Sequence, residues 1–277
     1  MSRRRSIVSG SINTRSSTVT DRLVILAKAP AAGRSKTRLA AEIGAGRAAM
    51  VSRLLIDKTI DAARAGERSG WWRALLAVDP PLATGARWPG VKRGLATFGQ
   101  ARGDLGDRIL SAMRDAAAGG PVVAIGADAP FVSAAAIRRA FLLLRSHDVV
   151  FGPAHDGGFW LIGVAGAQRL PRQFGAVRWS TADALADAQA AFAPGLRIAR
   201  TDPLLDIDDR ADLDAAGNLA VCVHASSAPL FERRAAPEVF VQADIIPITS
   251  APGLSGRQRL QRILGRLRPA TSPASAG

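Results

Sequence analysis

The stretch Leu23-Val-Ile-Leu-Ala-Lys28-Ala-Pro30-Ala-Ala-Gly33-Arg34-Ser-Lys36-Thr37-Arg38-Leu39 constrains the fold more than any other. Its apolar opening reads as a buried strand. Pro30 and Gly33 break that strand, and from Lys36 the pattern permits a helix. A strand, a flexible turn and a helix start make a corner where unpaired N–H groups and the helix dipole favour an anion. Lys28, Arg34, Lys36 and Arg38 crowd this corner. Cations at a helix start oppose the macrodipole unless an anion sits among them. The stretch therefore reads as a phosphate-binding turn. On this reading Lys36→Ala leaves the melting temperature of the unliganded protein unchanged or slightly raised. A Walker A loop is excluded, because Pro30 and Ser35 stand where its glycines would be relative to Lys36.

The rest of the chain repeats the alternation of strand and helix. Strands are expected at Arg22–Lys28, Trp71–Val78, Gly94–Phe98, Pro121–Ile125, Asp148–Phe151, Phe159–Val164 and Leu196–Thr201. Helices are expected from Lys36 to Ala65 with an interruption near Gly44-Ala-Gly46, from about Gly103 to Ala118, over Ser133–Arg145 with Ser133 as N-cap, and over Thr181–Phe192. A short helix should follow Asp209. Such alternation predicts an α/β domain with a mostly parallel sheet and helices on both faces. Ligands in these sheets bind outside the carboxyl ends of the strands, and the turns Lys28–Lys36, Gly126–Pro130 and Gly152–Gly158 all follow strands there. Residues 1–20, rich in Ser, Thr and Arg, are expected to be a disordered basic tail. Residues 21–216 form the expected domain, and 217–277 an extension outside the alternation with one basic amphipathic stretch, Arg257–Leu267.

Net charge of +14 over 277 residues invites a nucleic-acid reading. Residues 1–20 carry +4 and residues 217–277 another +4, which leaves +6 on the domain. The domain has no basic stripe interleaved with aromatics of the kind that stacks bases, so no specific nucleic-acid partner is expected. No apolar run is long enough to span a membrane, and no apolar segment follows Arg3–Arg5 to make a secretory signal. The lone Cys222 excludes an internal disulfide and suits a reducing compartment. A cytoplasmic location is expected.

Asp128 is the strongest single candidate for chemistry. It follows an apolar strand, lies between small residues and is pinned by Pro130. A carboxylate at a strand's carboxyl edge, beside a basic loop, is placed to bridge Mg²⁺ or Mn²⁺ to nucleotide oxygens. Capping of the next helix is the competing role, and Ser133 already fills it. Mg²⁺ commonly takes one or two protein carboxylates. Asp206 and Asp208 alternate on an extended segment and share a face, as metal ligands or as a solvated acidic turn. Asp156-Gly157-Gly158 is either a close approach of backbone to ligand or a hairpin turn. His147, His155 and His224 lack metal-ligand spacing.

Six motifs occur in order: Lys28-Ala-Pro-x-x-Gly33-x-x-Lys36-Thr-Arg38-Leu, Gly103-Asp104-Leu105-Gly106-x-Arg108, Gly126-x-Asp128-x-Pro130, Pro153-Ala-x-Asp156-Gly157-Gly158-Phe159-x-Leu-Ile-Gly163, Trp179-Ser180-Thr181 and Asp206-Ile-Asp208-x-x-x-Asp212-Leu213. Together, over residues 21–216, they resemble the GT-A-like family of arsenosugar-biosynthesis-type glycosyltransferases, relatives of the molybdenum-cofactor and phospholactate guanylyltransferases. The resemblance implies a nucleotide-diphospho-sugar transferase fold and a divalent metal. It places Lys28, Gly33, Lys36 and Arg38 at the nucleotide phosphates, Asp128 at the metal with Asp206 or Asp208 assisting, and Gly103, Asp104, Leu105 and Gly106 along the base or ribose. Ala129 stands where the family often has Cys, and Asp209-Arg210 replaces its usual Thr-Pro. The expected activity is a metal-dependent glycosyl transfer from a nucleotide sugar to a small-molecule acceptor, with Asp128 and Lys36 catalytic. Nucleotidyl transfer to a phosphorylated acceptor and nucleotide binding without catalysis are the alternatives.

Overall fold

The structure is a computed structural model that describes residues 21–81 and 95–217. The expected tail at 1–20 and the extension from 218 onward lie outside the described residues. In chain order the elements are β1 (Arg22–Lys28), α1 (Thr37–Ile43), α2 (Ala45–Arg68), β2 (Arg73–Asp79), β3 (Ala96–Gly99), α3 (Leu105–Ala116), β4 (Val122–Gly126), α4 (Ala134–Leu143), β5 (Val149–Pro153), β6 (Phe159–Val164), α5 (Ala184–Ala190), β7 (Ile198–Arg200) and a final helix α6 over 210–217.

The seven strands form one sheet in the order β3-β2-β1-β4-β6-β5-β7. All neighbours are parallel except β6, which runs antiparallel to both β4 and β5. The chain can reverse there because a short turn joins β5 to β6, whereas each parallel pair needs a crossover. Alternation along β1 splits the core in two. Leu23, Ile25 and Ala27 pack on one face with Ile56 and Ile60 of α2 and Ile137 and Phe141 of α4. Val24 packs on the other with Ile109, Leu110 and Met113 of α3, Ala188 of α5 and Phe192. The sheet is thus covered on both faces, which explains why β1 reads as a continuous apolar run rather than an alternating one. A third cluster joins Leu39 and Ile43 of α1 to Val51 and Leu55 of α2 and to Leu205, Ile207 and Leu213 near the end of the domain.

Helix boundaries differ from the sequence reading where local chemistry intervenes. α1 and α2 are separate helices, because Gly44 takes φ 87°, ψ 147° between them. α3 begins at Leu105, since Asp104 and Asp107 form a reciprocal capping box. Ser133 caps α4 as expected, its Oγ accepting from Ala136 N–H at 3.1 Å. α5 begins only at Ala184, because Ser180 takes a left-handed φ of 61° and Thr181 folds into a side-chain turn, its Oγ1 donating to Arg178 O at 2.8 Å. Among the described residues no helix is long and apolar enough to cross a membrane.

Candidate functional site

A cleft of about 330 Å³ opens at the carboxyl edge of β1 and β4, where open α/β sheets place their ligands. Lys28, Arg38, Leu105, Arg108, Asp128, Asp156, Gly158, Asp206 and Asp208 line it, with Gln100, Phe159, Trp179, Ser180 and Thr181. A second hollow of about 290 Å³ shares Lys28, Arg38, Asp128 and Asp208 with the first and adds Ser35, Lys36 and Thr37. Residues from all six motifs therefore meet across long sequence separations.

Lys36 stands at the centre. It is the N-cap of α1, with left-handed φ 52° and ψ 54°. Its side chain is only 6% exposed, and Nζ lies 2.7 Å from Asp128 Oδ1 and 2.9 Å from Asp208 Oδ1. Burial pushes the ammonium's pKa down, but the two carboxylates outweigh burial and hold it above its ordinary value. Arg38 adds an ion pair to Asp208 Oδ2 at 2.7 Å. Burial raises the Asp208 pKa, and Lys36 and Arg38 together bring it below the ordinary carboxylate range. The expectation that Lys36 waits uncompensated at a helix start is corrected: protein carboxylates already compensate it.

The segment carrying Asp206 and Asp208 keeps the alternation read from sequence. Leu205 and Ile207 are buried, while the two acids line the cleft. Ile207 N–H donates to Asp128 O at 3.3 Å and Leu39 N–H to Asp208 O at 3.2 Å, which fixes the segment between β4 and α1. Asp209 and Asp212 then cap α6: Asp212 N–H donates to Asp209 Oδ1 at 3.0 Å, and Asp212 Oδ2 accepts from Asp208 and Asp209 N–H at 2.9 and 3.1 Å. Asp209 thus supplies the helix start. The Asp206 carboxyl is pushed up to about 6, first by burial and then by the negative charges of Asp156 and Asp208.

The expected metal set Asp128, Asp206 and Asp208 does not converge as three ligands. The Lys36 ammonium lies between Asp128 and Asp208, and among the described residues no group of three or more His, Cys, Asp or Glu side chains could hold an ion. The donors still suit a hard cation bound through one or two carboxylates. Asp128 is half exposed to the cleft, and Asp206 faces like charges that a cation would relieve.

The other expected site residues divide. Asp156 belongs to the β5–β6 hairpin and, with Gly158, also lines the cleft. Its Oδ1 accepts from Gly158 N–H at 2.8 Å. Gly157, at φ +89°, lies against Ala182, whose carbonyl would be 2.3 Å from an added Cβ. Gly33, Gly103, Asp104, Gly106 and Gly157 do not line the cleft. Gly33 bends the turn at φ +73°. Gly103 takes φ +123°, Asp104 caps α3 and accepts from Trp179 Nε1–H at 3.3 Å, and Gly106 leaves room for the rings of Trp179 and Phe174. In the second motif, Leu105 and Arg108 are the residues that reach the cleft. Arg108, Gln100, Phe159, Trp179, Ser180 and Thr181 were not among the expected site residues. Arg108, Phe159 and the Trp179–Thr181 run stood in the motifs without an assigned role, whereas Gln100 carried no separate signal.

A family model described as "Uncharacterized protein conserved in bacteria (DUF2064)" matches residues 62–181. No curated protein matches the chain. Among solved structures, a protein provisionally named a nucleotide-diphospho-sugar transferase, from Desulfovibrio desulfuricans G20, superposes with a TM-score of 0.60 at 23% identity, over 78% of this chain and 91% of its own. The 4-diphosphocytidyl-2C-methyl-D-erythritol synthase of Anaerococcus prevotii DSM 20548 gives 0.46 at 11% identity, over 70% and 94%. Rv0371c of Mycobacterium tuberculosis H37Rv, in complex with manganese, gives 0.41 at 17%, over 70% and 96%. The first likeness shows the fold: the chain has the α/β architecture of nucleotide-diphospho-sugar transferases.

Proposed function

We propose that this chain is a metal-dependent glycosyltransferase that uses a nucleotide-sugar donor. One observation carries the reading: Lys28, Arg38 and Arg108 share a single strand-end cleft with Asp128, Asp156, Asp206 and Asp208. Cations alone would suit a bare anion, and carboxylates alone a bare cation. Their combination suits a diphosphate bound together with a metal ion. The six motifs that resemble the arsenosugar-type glycosyltransferases support the same reading. Phe159 and Trp179, both facing the cleft, add flat apolar surface against which a sugar or acceptor ring can lie.

Asp128 is the residue proposed to hold Mg²⁺ or Mn²⁺, with Asp206 as second ligand. When bound, the ion neutralises charge on the diphosphate as it leaves. Lys36 holds Asp128 and Asp208 in place through its two ion pairs, while Lys28, Arg38 and Arg108 neutralise phosphate oxygens. In the transfer an acceptor hydroxyl oxygen bonds to the anomeric carbon. The bond from that carbon to the diphosphate breaks, the nucleoside diphosphate departs with the electron pair, and the acceptor proton passes to a cleft carboxylate. Nucleotidyl transfer is the second reading, favoured by the three cleft cations, which would also suit a triphosphate.

Products separate the two. Incubation with Mn²⁺, a panel of nucleotide sugars and a panel of nucleoside triphosphates should release nucleoside diphosphate from one nucleotide sugar. Pyrophosphate released from a triphosphate would instead establish nucleotidyl transfer. Calorimetry of Asp128→Asn should find metal-dependent nucleotide binding abolished, because the amide keeps the size and loses the charge. Unchanged Mn²⁺-nucleotide affinity in that variant overturns the metal assignment.

A further inference from the structure

Lys36 carries its charge beside the carboxylate proposed above to hold a metal ion. Its Nζ lies 2.7 Å from Asp128 Oδ1 and 2.9 Å from Asp208 Oδ1. The ammonium is not free to leave. Its side chain is buried, and its backbone is left-handed at the start of α1. The segment that bears Asp208 is tied to both sides of it, since Leu39 N–H donates to Asp208 O and Ile207 N–H to Asp128 O. Four cations, Lys28, Lys36, Arg38 and Arg108, line the two hollows with four carboxylates, Asp128, Asp156, Asp206 and Asp208. Their formal charges cancel. A divalent cation entering alone would add charge that no lining residue offsets, on a carboxylate that already touches a fixed ammonium. Like charges so close, in a partly buried site, are screened far less than in water. The diphosphate of a nucleotide brings negative charge that offsets the ion.

We propose that Lys36 makes the metal–nucleotide complex, rather than the free ion, the ligand that this cleft accepts: its ammonium repels a divalent cation from Asp128 until a diphosphate arrives with it. The inference rests on the nucleotide reading above. Metal and phosphate then bind cooperatively, each raising the affinity for the other by the same factor. A site built this way ignores free divalent cations and balances its charge only when the nucleotide is present. Removing the ammonium should have different effects on the two ligands, tightening the ion alone and not its nucleotide complex. A lysine that only props the two carboxylates makes the reverse forecast for the ion, because loosened carboxylates would bind it less well.

The test uses the full chain. Calorimetry measures the affinity of Mn²⁺ alone, and of Mn²⁺ premixed with each of ADP, CDP, GDP and UDP, for the wild type, Lys36→Met and Lys36→Arg. Mn²⁺ alone should bind Lys36→Met about 5- to 150-fold more tightly than the wild type. Lys36→Arg keeps the charge and should stay near the wild type. The Mn²⁺–nucleotide complex that binds the wild type most tightly should bind Lys36→Met no better. Adding Asp128→Asn to Lys36→Met should remove the gain for the free ion. Mn²⁺ that binds Lys36→Met no more tightly than the wild type overturns the inference and leaves the nucleotide reading standing. A gain that survives Asp128→Asn overturns it in the same way, since the ion would then sit elsewhere. If Lys36→Met does not fold, the wild type still decides: Mn²⁺ bound as tightly alone as with a nucleotide overturns the inference. If no Mn²⁺–nucleotide complex binds the wild type, both readings fall.

Discussion

Lys36 adopts a left-handed backbone that costs a residue with a side chain about 1–2 kcal/mol. Its ammonium bridge to Asp128 and Asp208 accounts for why that conformation is held. Lys36→Met should therefore destabilise the unliganded protein by about 1–2 kcal/mol, a modest figure because both carboxylates retain access to water. Lys36→Gly loses the same ion pairs but relieves the backbone, so it should melt above Lys36→Met. Chemical denaturation of the three proteins checks the order. Asp206 is the second residue whose energetics can be read. Below about pH 3.8 it is protonated folded or unfolded and costs nothing. Between there and about pH 6 the folded state keeps a proton that the unfolded chain releases, so stability falls as pH rises. Above about pH 6 the cost is complete, at most about 3 kcal/mol. In EDTA, Asp206→Asn should raise the melting temperature at pH 8 and leave it unchanged below pH 4, as scanning calorimetry would record. A gain that persists at low pH would place the effect in packing rather than charge.

At the scale of elements, the turn after β5 and the segment before α5 form one wall of the cleft. Gly157 lies against the Ala182 backbone, Leu185 N–H donates to Gly157 O at 3.1 Å, and Arg178 clamps Asp187 through Nε at 2.8 Å and Nη2 at 2.9 Å. A methyl group at position 157 meets backbone that cannot yield, on a residue already at positive φ. Gly157→Ala should cost about 1–3 kcal/mol and displace Ser180 and Thr181 from the cleft. The check is a fall in both melting temperature and ligand affinity, with Gly33→Ala as a control that meets no atoms within 4 Å. The sequence disclosed these elements through period and punctuation: β1 and β4 by apolar runs, α4 by Ser133, the β5–β6 reversal by Asp156-Gly157. It disclosed the acids at 206 and 208 through alternation with Leu205 and Ile207. It could not disclose that Lys36 meets both Asp128 and Asp208, or that Gln100 is held by carbonyls of two other strands. Those are contacts between distant segments, and nothing local in the residues encodes them. The glycines of the second motif are ambiguous for a related reason, since room for the Trp179 ring and contact with a ligand leave the same mark on a sequence.

Across the whole molecule, the six motifs fall within residues 21–217, while 8 of the 14 net positive charges lie on residues 1–20 and 217–277. A chain cut to 21–217 should melt cooperatively and keep its nucleotide affinity, and it should lose retention on heparin or DNA at low salt. Loss of cooperative melting would mean that the removed segments complete the core. The ion pair at the centre of the cleft has another consequence, which concerns how the protein is made. Lys36 and Asp208 are separated by 172 positions, and Arg38 and Asp208 by 170. All seven strands, the last ending at Arg200, and the basic turn after the first are translated before Asp208. The turn is synthesised among the first parts of the domain and finished last, when the final segment docks between α1 and β4. A nascent or prematurely terminated chain can build most of the sheet without the binding site, so ligand capture reports that synthesis has reached the end of the domain.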